Sequence, residues 1–294
     1  MKQKYIKTLI LGSIFIMLLS CGSKHENAAL QNIKFVSFWE GFNFADKSHV
    51  NNPGITTPKF ESFCKYLSST TPYDRRQQID TLLNRSLQGG IDMYENMMQL
   101  AEKYLTDPNS PYRNEETFIQ FLEYTISNPN LTEAYKERPR YQLAIAKKNR
   151  EGTSANDFEY ITRDGYRGRL YNIKNKYTLL YFNNPGCHDC KRVAEYIKQS
   201  AVISKLISSN HLTLLAVYPD EDLKLWNYNK VDYPDQWIVC RYADNKYLEC
   251  YNLPAIPNLY LLDNKKIVIL KDAPIEIIEA YLIKKEKKAG LKAS

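Results

Sequence analysis

Apolar residues recur every three to four positions through the first half of the chain, between about residues 31 and 150. This spacing places them on one face of a helix. Helices are predicted over Tyr73–Leu87 and Ile91–Leu105, and together they indicate an all-α domain over residues 31–150. The inward faces comprise Ile79, Leu82 and Leu83 in the first helix and Ile91, Tyr94, Met98, Ala101 and Leu105 in the second.

The next helix of this half is predicted to begin at Ser110-Pro111. Serine is a frequent N-cap residue and proline fits the first helical turn, while Glu115 and Glu116 would lie near the positive end of the helix dipole. We find no internal repeat and no metal-ligand or acid-base constellation in this half. The buried stripe of the helix is predicted to comprise Phe118, Phe121, Leu122 and Ile126.

The second half of the chain follows a polar hinge at residues 151–156 and alternates between short apolar runs and helical stretches. Continuous apolar strands are predicted at Tyr177–Phe182 and Leu212–Tyr218. The order predicts an α/β domain over residues 156–287, in which helices flank a central mixed sheet. Further elements are hairpins around Asp164-Gly165 and Asp263-Asn264 and helices over Asp189–Ser208, Asp220–Tyr228 and Ile275–Lys285.

The composition fits a folded protein of two domains. The chain has 294 residues, of which 44% are hydrophobic, and its formal net charge is +7. This length suits two cores of ordinary size. Residues 288–294 are interpreted as a solvated basic tail, with contact to anionic lipid as the alternative. No nucleic acid is predicted as a partner, because no aromatic residues alternate with the lysines.

The first part of the chain, residues 1–20, is predicted to be a secretory signal. Lysines precede an apolar run that is shorter than the roughly 20 residues of a membrane-spanning helix, and polar residues follow at once. The run ends in Leu18-Leu19-Ser20-Cys21, which resembles the bacterial lipobox. This resemblance implies cleavage before Cys21, lipidation of its thiol and a tether over residues 21–30. It implies a lipid-anchored protein of the cell envelope that faces the periplasm, and a retained anchor helix is the alternative.

Two cysteines at a predicted strand-to-helix junction carry the candidate chemistry. The segment Pro185–Cys190 reads Pro-Gly-Cys-His-Asp-Cys, with Pro185 in the turn. Cysteines three positions apart in a first helical turn are close enough to form a disulfide, and the unpaired amides there stabilise a thiolate. We predict Cys187 as the nucleophile and Cys190 as the resolving thiol. His188, when protonated, favours the Cys187 thiolate, whereas Asp189 opposes it.

Other interpretations of the Cys187–Cys190 pair stay open. The same spacing forms half of a zinc site, for which Cys240, Cys250 and His211 are the remaining candidates, but they contain no second close pair. Metal is therefore not predicted. An inert structural disulfide is the other alternative, although so short a ring restricts the unfolded chain little.

The remaining cysteines are assigned no catalytic role. Cys64 is interpreted as a buried helical thiol. Cys240 and Cys250 are predicted to be unpaired or structural, because neither is at a helix start. A disulfide between them, or exchange of Cys250 with the active pair, are the alternatives.

A second motif, Ile256-Pro257, directly precedes the predicted strand Asn258–Leu262. With the two cysteines it makes residues 156–287 similar to the thioredoxin superfamily, especially its peroxiredoxin-related and extracytoplasmic branch. The resemblance implies that the Ile256-Pro257 peptide bond is cis and faces the cysteines, where its backbone pairs with an extended substrate peptide. Pro254 is the alternative position for this proline.

The resemblance extends over nearly the whole mature chain, through the segments Tyr104–Glu116 and Lys148–Thr153. These segments resemble thioredoxin-like lipoproteins of Bacteroidetes that carry an N-terminal helical domain of unknown function. The active-site sequence departs from thioredoxin itself, which has a tryptophan directly before the first cysteine and a buried aspartate six residues before it. This chain has Gly186 and Tyr181 at those positions, so no acid is available as proton acceptor for Cys190.

The combined pattern predicts a membrane-anchored thiol-disulfide oxidoreductase that acts on protein or small thiols. No cofactor is predicted, and no electron donor is indicated. A lipoprotein that uses a redox-inactive thioredoxin scaffold for binding is the alternative. Peroxide reduction is disfavoured because the proline-threonine-cysteine signature of peroxiredoxins is absent before Cys187.

Overall fold

The computed structural model describes residues 36–228 and 233–290 of the chain. Residues 36–43 belong to a separate unit and form turns, with Glu40 N–H donating to the Ser37 carbonyl at 3.1 Å. The described residues from Phe44 onward form one unit, which begins with helices. These are α1 (Lys47–Asn51), α2 (Pro53–Ser68), α3 (Pro72–Gly89), α4 (Ile91–Thr106), α5 (Glu115–Ser127) and α6 (Glu133–Ala146).

The two helices predicted from apolar spacing are present as α3 and α4. Ile79, Leu82 and Leu83 are fully buried, as predicted for α3. The predicted face of α4 is partly wrong, because Ile91 in the first turn is 37% exposed. The turn between the helices needs glycine, since a Cβ at Gly89 would lie 2.1 Å from the Phe44 carbonyl oxygen. The buried residues of α4 are Met93, Tyr94, Met97, Leu100, Ala101 and Leu105.

The start of α5 differs from the sequence prediction. The N-cap is Asn114, whose side-chain oxygen accepts from Thr117 N–H at 2.8 Å. Ser110 lies in the preceding turn, where its hydroxyl donates to the Tyr104 carbonyl at 2.5 Å. Serine and asparagine are both favourable N-cap residues. Ser110 does not cap α5 because its hydroxyl is used in the turn that follows α4. Glu115 and Glu116 are in the first turn, as expected.

Strands and helices alternate after the helical segment. The strands are β1 (Glu159–Thr162), β2 (Arg167–Arg169), β3 (Tyr177–Phe182), β4 (Leu212–Tyr218), β5 (Ile238–Tyr242), β6 (Asn258–Asp263) and β7 (Val268–Lys271). The helices are α7 (His188–Gln199), α8 (Ala201–Ser208), α9 (Leu223–Tyr228) and α10 (Ile275–Gly290).

The described strands form one seven-stranded mixed sheet in the order β2-β1-β5-β4-β3-β6-β7. Strands β3, β4 and β5 are parallel, and β6 runs antiparallel to β3. Alternate residues of β3 face opposite sides: Tyr181 packs in the core beneath α7 and α10, and Phe182 packs in the core on the other face. The predicted fold class, an α/β sheet flanked by helices after an all-α segment, is confirmed.

Three elements of the second half differ from the prediction. Strand β5 was not predicted, although it pairs with both β4 and β1. The predicted helix Asp189–Ser208 is interrupted at Ser200, which has an extended backbone and caps α8 by accepting from Ile203 N–H at 3.1 Å. In α10, Ile278 and Leu282 are buried as predicted, but Ile277 is 53% exposed.

The polar segment at residues 151–156 connects the helices to the sheet through backbone hydrogen bonds. Gly152 N–H donates to the Val268 carbonyl at 2.9 Å, and Ala155 N–H donates to the Lys266 carbonyl at 2.8 Å. This segment therefore lies along β7. The domain boundary near residue 150 stays a prediction.

The predicted signal, tether and lipidation site, residues 1–30, lie outside the described residues. Within the described ranges, no helix has both the length and the apolar character needed to cross a membrane.

The cap of α5 can be tested directly. We expect Asn114→Ala to lower the free energy of unfolding by about 1 kcal/mol, because an N–H of the first helical turn loses its acceptor. Asn114→Asp keeps an acceptor oxygen and should retain most of the stability. Urea unfolding of the three proteins measures this, and an equal loss in both variants would contradict the assignment of Asn114 as the cap.

Candidate active site

The two motif cysteines meet at the start of α7. Strand β3 ends at Phe182, a short turn follows, and Cys187 is the N-cap residue of α7. Its sulfur lies 3.1 Å from the Cys190 backbone N–H, which donates to it. Cys187 and Cys190 are joined by a disulfide, with their Cα atoms 5.2 Å apart. One amide of the first helical turn thus donates to the sulfur of Cys187, which lies at the positive end of the α7 dipole.

The two cysteines differ in their exposure to solvent. Cys187 is half-buried, whereas Cys190 is 2% exposed and belongs to the core beneath α7. A partner from solution therefore reaches the disulfide at Cys187. Gly186 precedes it with a φ of +79°, a conformation that favours glycine. Pro185 lies in the same turn and is half-buried.

The charged residues between the cysteines point into solvent. The His188 side chain is 93% exposed and its Nδ1 lies 4.0 Å from Asp189 Oδ1. Arg192 links this pair to α10, since its side-chain nitrogens lie 3.7 Å from both Asp189 Oδ1 and Glu276 Oε1. Water screens charges this exposed. The opposite influences of His188 and Asp189 on Cys187 are correspondingly weak.

The loop before β6 faces the cysteines. The Ile256-Pro257 peptide bond is cis, at the position for which the thioredoxin resemblance implies one. The Ile256 carbonyl oxygen lies 3.8 Å from Cys187 Sγ. The pairing of Asn258 with Phe182 brings the loop that leaves β3 beside the loop that enters β6. The motifs Cys187–Cys190 and Ile256-Pro257, separated by more than sixty residues in sequence, thus form one site.

A buried tyrosine replaces the acid that thioredoxin has below its cysteines. Tyr181 is fully buried, and its hydroxyl donates to the Cys190 carbonyl oxygen at 2.5 Å. Burial raises the pKa of Tyr181 far above its usual value. The phenol therefore stays protonated at neutral pH and supports α7 from below, and it is not a base for Cys190.

Residues that the sequence did not single out complete this buried layer. The Tyr233 hydroxyl donates to Asn183 Oδ1 at 3.0 Å, and the Tyr233 ring lies 6.3 Å from the ring of Tyr181. Trp237 stacks on Tyr233 with ring centroids 5.1 Å apart. Their aromatic character was visible in the sequence, but no spacing linked residues 233–237 to Tyr181.

The other described cysteines are free thiols. Cys64 is buried in α2, as predicted, and burial raises its pKa to about 12. Cys240 in β5 is fully buried, and desolvation raises its pKa as well. Cys250 is half-buried with a raised pKa, again through desolvation. The alternative disulfide between Cys240 and Cys250 is absent, which agrees with the prediction of unpaired or structural roles.

A metal site is not found in the part of the chain that the structure describes. No three or more His, Cys, Asp or Glu side chains in residues 36–228 and 233–290 are arranged to hold an ion. His211, a candidate ligand from the sequence, has its Nδ1 2.9 Å from the Ser209 hydroxyl. The zinc alternative thus has no further ligands among these residues.

A mixed sheet, a cysteine pair at a helix start and a facing cis-proline loop together define a thioredoxin-like fold. Comparison with known proteins assigns the family: the chain belongs to the thioredoxin-like proteins. A thioredoxin-like protein from Bacteroides caccae is 37% identical, and its crystal structure superimposes with a TM-score of 0.79. The match covers 95% of this chain and 99% of that one. Residues 27–149 match the family described as "Domain of unknown function (DUF5106)".

Two structures from Bacteroides fragilis match parts of the chain. The C-terminal domain of an uncharacterized protein is 42% identical over 46% of this chain and 99% of its own, with a TM-score of 0.43. A conserved protein of unknown function is 33% identical over 45% of this chain and 98% of its own, with a TM-score of 0.44. No curated protein matches the sequence.

The role of Tyr181 as a support of α7 is testable. We expect Tyr181→Phe to lower the free energy of unfolding by about 1 kcal/mol, since one buried hydrogen bond is lost. Hydrogen exchange should become faster in the first turns of α7. Urea unfolding and amide exchange of the disulfide-closed protein measure the two effects.

Tyr124→Phe is the matched control for this prediction. It also removes a buried tyrosine hydroxyl, but this hydroxyl donates to Asn84 in α3 at 2.6 Å, within the helical segment, so amide exchange in α7 should not change. If amide exchange in α7 of the Tyr181→Phe variant were the same as in the wild type, Tyr181 would not support α7.

Proposed function

We propose that this protein is a thiol-disulfide oxidoreductase in which Cys187 and Cys190 are the redox pair. The observation that carries the proposal is the asymmetry of the disulfide: Cys187 is partly exposed at the start of α7, and Cys190 is buried in the core behind it. A disulfide with only a structural role has no need of an accessible sulfur at a helix start, where a thiolate is stabilised.

The proposed reaction has two exchange steps. In the reduced protein the Cys187 thiolate attacks a disulfide RS–SR′, forms a mixed disulfide with RS and releases R′S⁻. The Cys190 thiolate then attacks the Cys187 sulfur, closes the Cys187–Cys190 disulfide and releases RS⁻. Two electrons pass to the partner, and the two thiol protons end on its released sulfurs. The reverse sequence oxidises a dithiol.

Neighbouring groups have separate roles in this reaction. The Cys190 N–H and the α7 dipole stabilise the Cys187 thiolate. The loop at Ile256 and Pro257 lies against the attacking sulfur and offers its backbone to an extended partner. We propose protein or small thiols as partners, because Cys187 is partly exposed and the backbone of the facing loop lies beside it.

Trapping of the mixed disulfide tests the function. We expect Cys190→Ser to accumulate mixed disulfides through Cys187, because the thiol that resolves them is missing. Non-reducing electrophoresis of the variant incubated with a disulfide-containing peptide, followed by peptide mapping, measures the trapped species.

Cys187→Ser is the control, since of the redox pair it retains only the buried Cys190 thiol, and it should trap far less at the site. If Cys190→Ser formed no mixed disulfide, the oxidoreductase proposal would fail. The chain would then be better described as a redox-inactive binding scaffold.

We further propose that Cys21 carries a lipid that anchors the protein in the cell envelope, on the periplasmic side. The lipobox-like sequence that ends at Cys21 supports this. A single acyl chain gives only marginal membrane binding, so durable attachment requires several chains on this cysteine.

The anchor predicts acylation at Cys21. We expect Cys21→Ser to incorporate no labelled fatty acid in a bacterium with a lipoprotein pathway and to keep residues 1–20, because cleavage follows lipidation of the cysteine. Ser20→Ala is the control, because it keeps a small residue before the cysteine and should be labelled and cleaved like the wild type. Fatty-acid labelling and the mass of the purified protein measure the two effects, and a wild-type protein without label would contradict lipid anchoring.

A further inference from the structure

The end of β7 is fixed to the helical segment by buried polar contacts. The Lys271 side chain is 9% exposed, and its Nζ lies 2.5 Å from Glu115 Oε2 in α5. The same ammonium donates to the carbonyls of Ala146 at 3.0 Å and Lys148 at 2.8 Å. The three N–H donors of this ammonium therefore have three acceptors, one carboxylate oxygen and two carbonyl oxygens. The last residue of β7 therefore has a defined position relative to α5.

The next residue, Asp272, connects the helical segment to the loop before β6. One of its carboxylate oxygens pairs with the guanidinium of Arg113, two residues before the start of α5. The other accepts from Asn258 Nδ2 at 2.7 Å. Asp272 has a φ of +48°, a conformation that few residues other than glycine adopt and that aspartate tolerates. In this conformation the Asp272 carboxylate contacts Arg113 with one oxygen and Asn258 with the other.

Asn258 links Asp272 to the loop that faces the cysteines. It is 1% exposed and directly follows the cis Ile256-Pro257 peptide. Its Oδ1 is buried without a hydrogen-bond partner among the described residues, so the bond from its Nδ2 to Asp272 is the contact that orients its amide. The Ile256 carbonyl, two residues earlier, lies 3.8 Å from Cys187 Sγ.

From this geometry we infer that Arg113 is a positioning residue for the redox pair. It acts through Asp272 and Asn258, which hold the Ile256-Pro257 peptide against Cys187. The inference rests on the proposed oxidoreductase function and gives the helical segment a role in it.

Loss of the guanidinium should change the balance between the oxidised and reduced forms. Without Arg113 the half-buried Asp272 carboxylate turns toward water, because an unpaired charge is poorly tolerated there. The Asn258 amide then loses its acceptor and the loop loosens. The Ile256 carbonyl oxygen, whose partial negative charge disfavours a nearby Cys187 thiolate, moves away from the sulfur. The reduced form becomes more stable, and the disulfide becomes easier to reduce.

The experiment measures the equilibrium of the purified protein with glutathione. The disulfide plus two glutathione thiols gives the Cys187–Cys190 dithiol plus one glutathione disulfide, so sulfurs, protons and electrons balance. For Arg113→Gln we expect this equilibrium constant to rise roughly five-fold, which is about 20 mV for a two-electron couple. Arg113→Lys keeps a cation beside Asp272 and should stay within about two-fold of the wild type.

Two further variants separate positioning from general loss of structure. Arg150→Gln breaks another ion pair of the helical segment, with Glu116, which does not reach the loop. It should leave the constant within about two-fold of the wild type. The double variant Arg113→Gln/Asp272→Asn removes both charges but keeps a side-chain oxygen at position 272 that can accept from Asn258 Nδ2. Its equilibrium constant with glutathione should therefore return toward the wild-type value. Urea unfolding of each variant verifies that it is folded.

The inference is overturned if folded Arg113→Gln has the wild-type constant, or if Arg150→Gln shifts it equally. A double variant that remains as shifted as Arg113→Gln also overturns it. Failure of the proposed function gives a different result, since the wild-type disulfide itself would then not exchange with glutathione.

Discussion

The antiparallel register between β3 and β6 is the constraint on which this molecule depends. Phe182 is paired with Asn258, so the loop that enters α7 and the loop that contains Pro257 leave the sheet side by side. Because side chains alternate along a strand, a slip of one residue would exchange the two faces of β6 and remove the Ile256 carbonyl from Cys187. The register is fixed because both strands are almost completely buried and pack in two cores.

The chemistry of the site follows from the different positions of its two cysteines: Cys187 is partly exposed and Cys190 is in the core. Cys187 lies at the helix start, where amides favour a thiolate, and Cys190 lies one turn deeper against Tyr181. A tyrosine at this position holds the helix through a hydrogen bond but accepts no proton at neutral pH, since burial raises its pKa far above the usual value. The site thus keeps a cysteine pair at a helix start and a facing proline loop, without the buried acid of thioredoxin itself.

The helical segment is joined to the sheet by ion pairs as well as by the covalent connection at residues 151–156. Arg113 and Glu115, at the start of α5, pair with Asp272 and Lys271, at the end of β7. The polar segment at residues 151–156, expected as a hinge, lies along β7 through backbone hydrogen bonds. Both features fix the helices to the sheet. They place the helical segment next to the loop that faces the cysteine pair.

The sequence by itself determined the elements whose signal is local. Strands β3 and β4 were predicted to the residue because they are continuous apolar runs, and Cys187, Cys190 and Pro257 were identified by short motifs. Only the tertiary structure decided the features that depend on distant partners. Strand β5 is five residues long, contains Arg241 and is specified by pairing with β4 and β1. Arg113 and Asp272 are separated by 159 positions, and no local pattern indicates that two charges so far apart meet in a half-buried site.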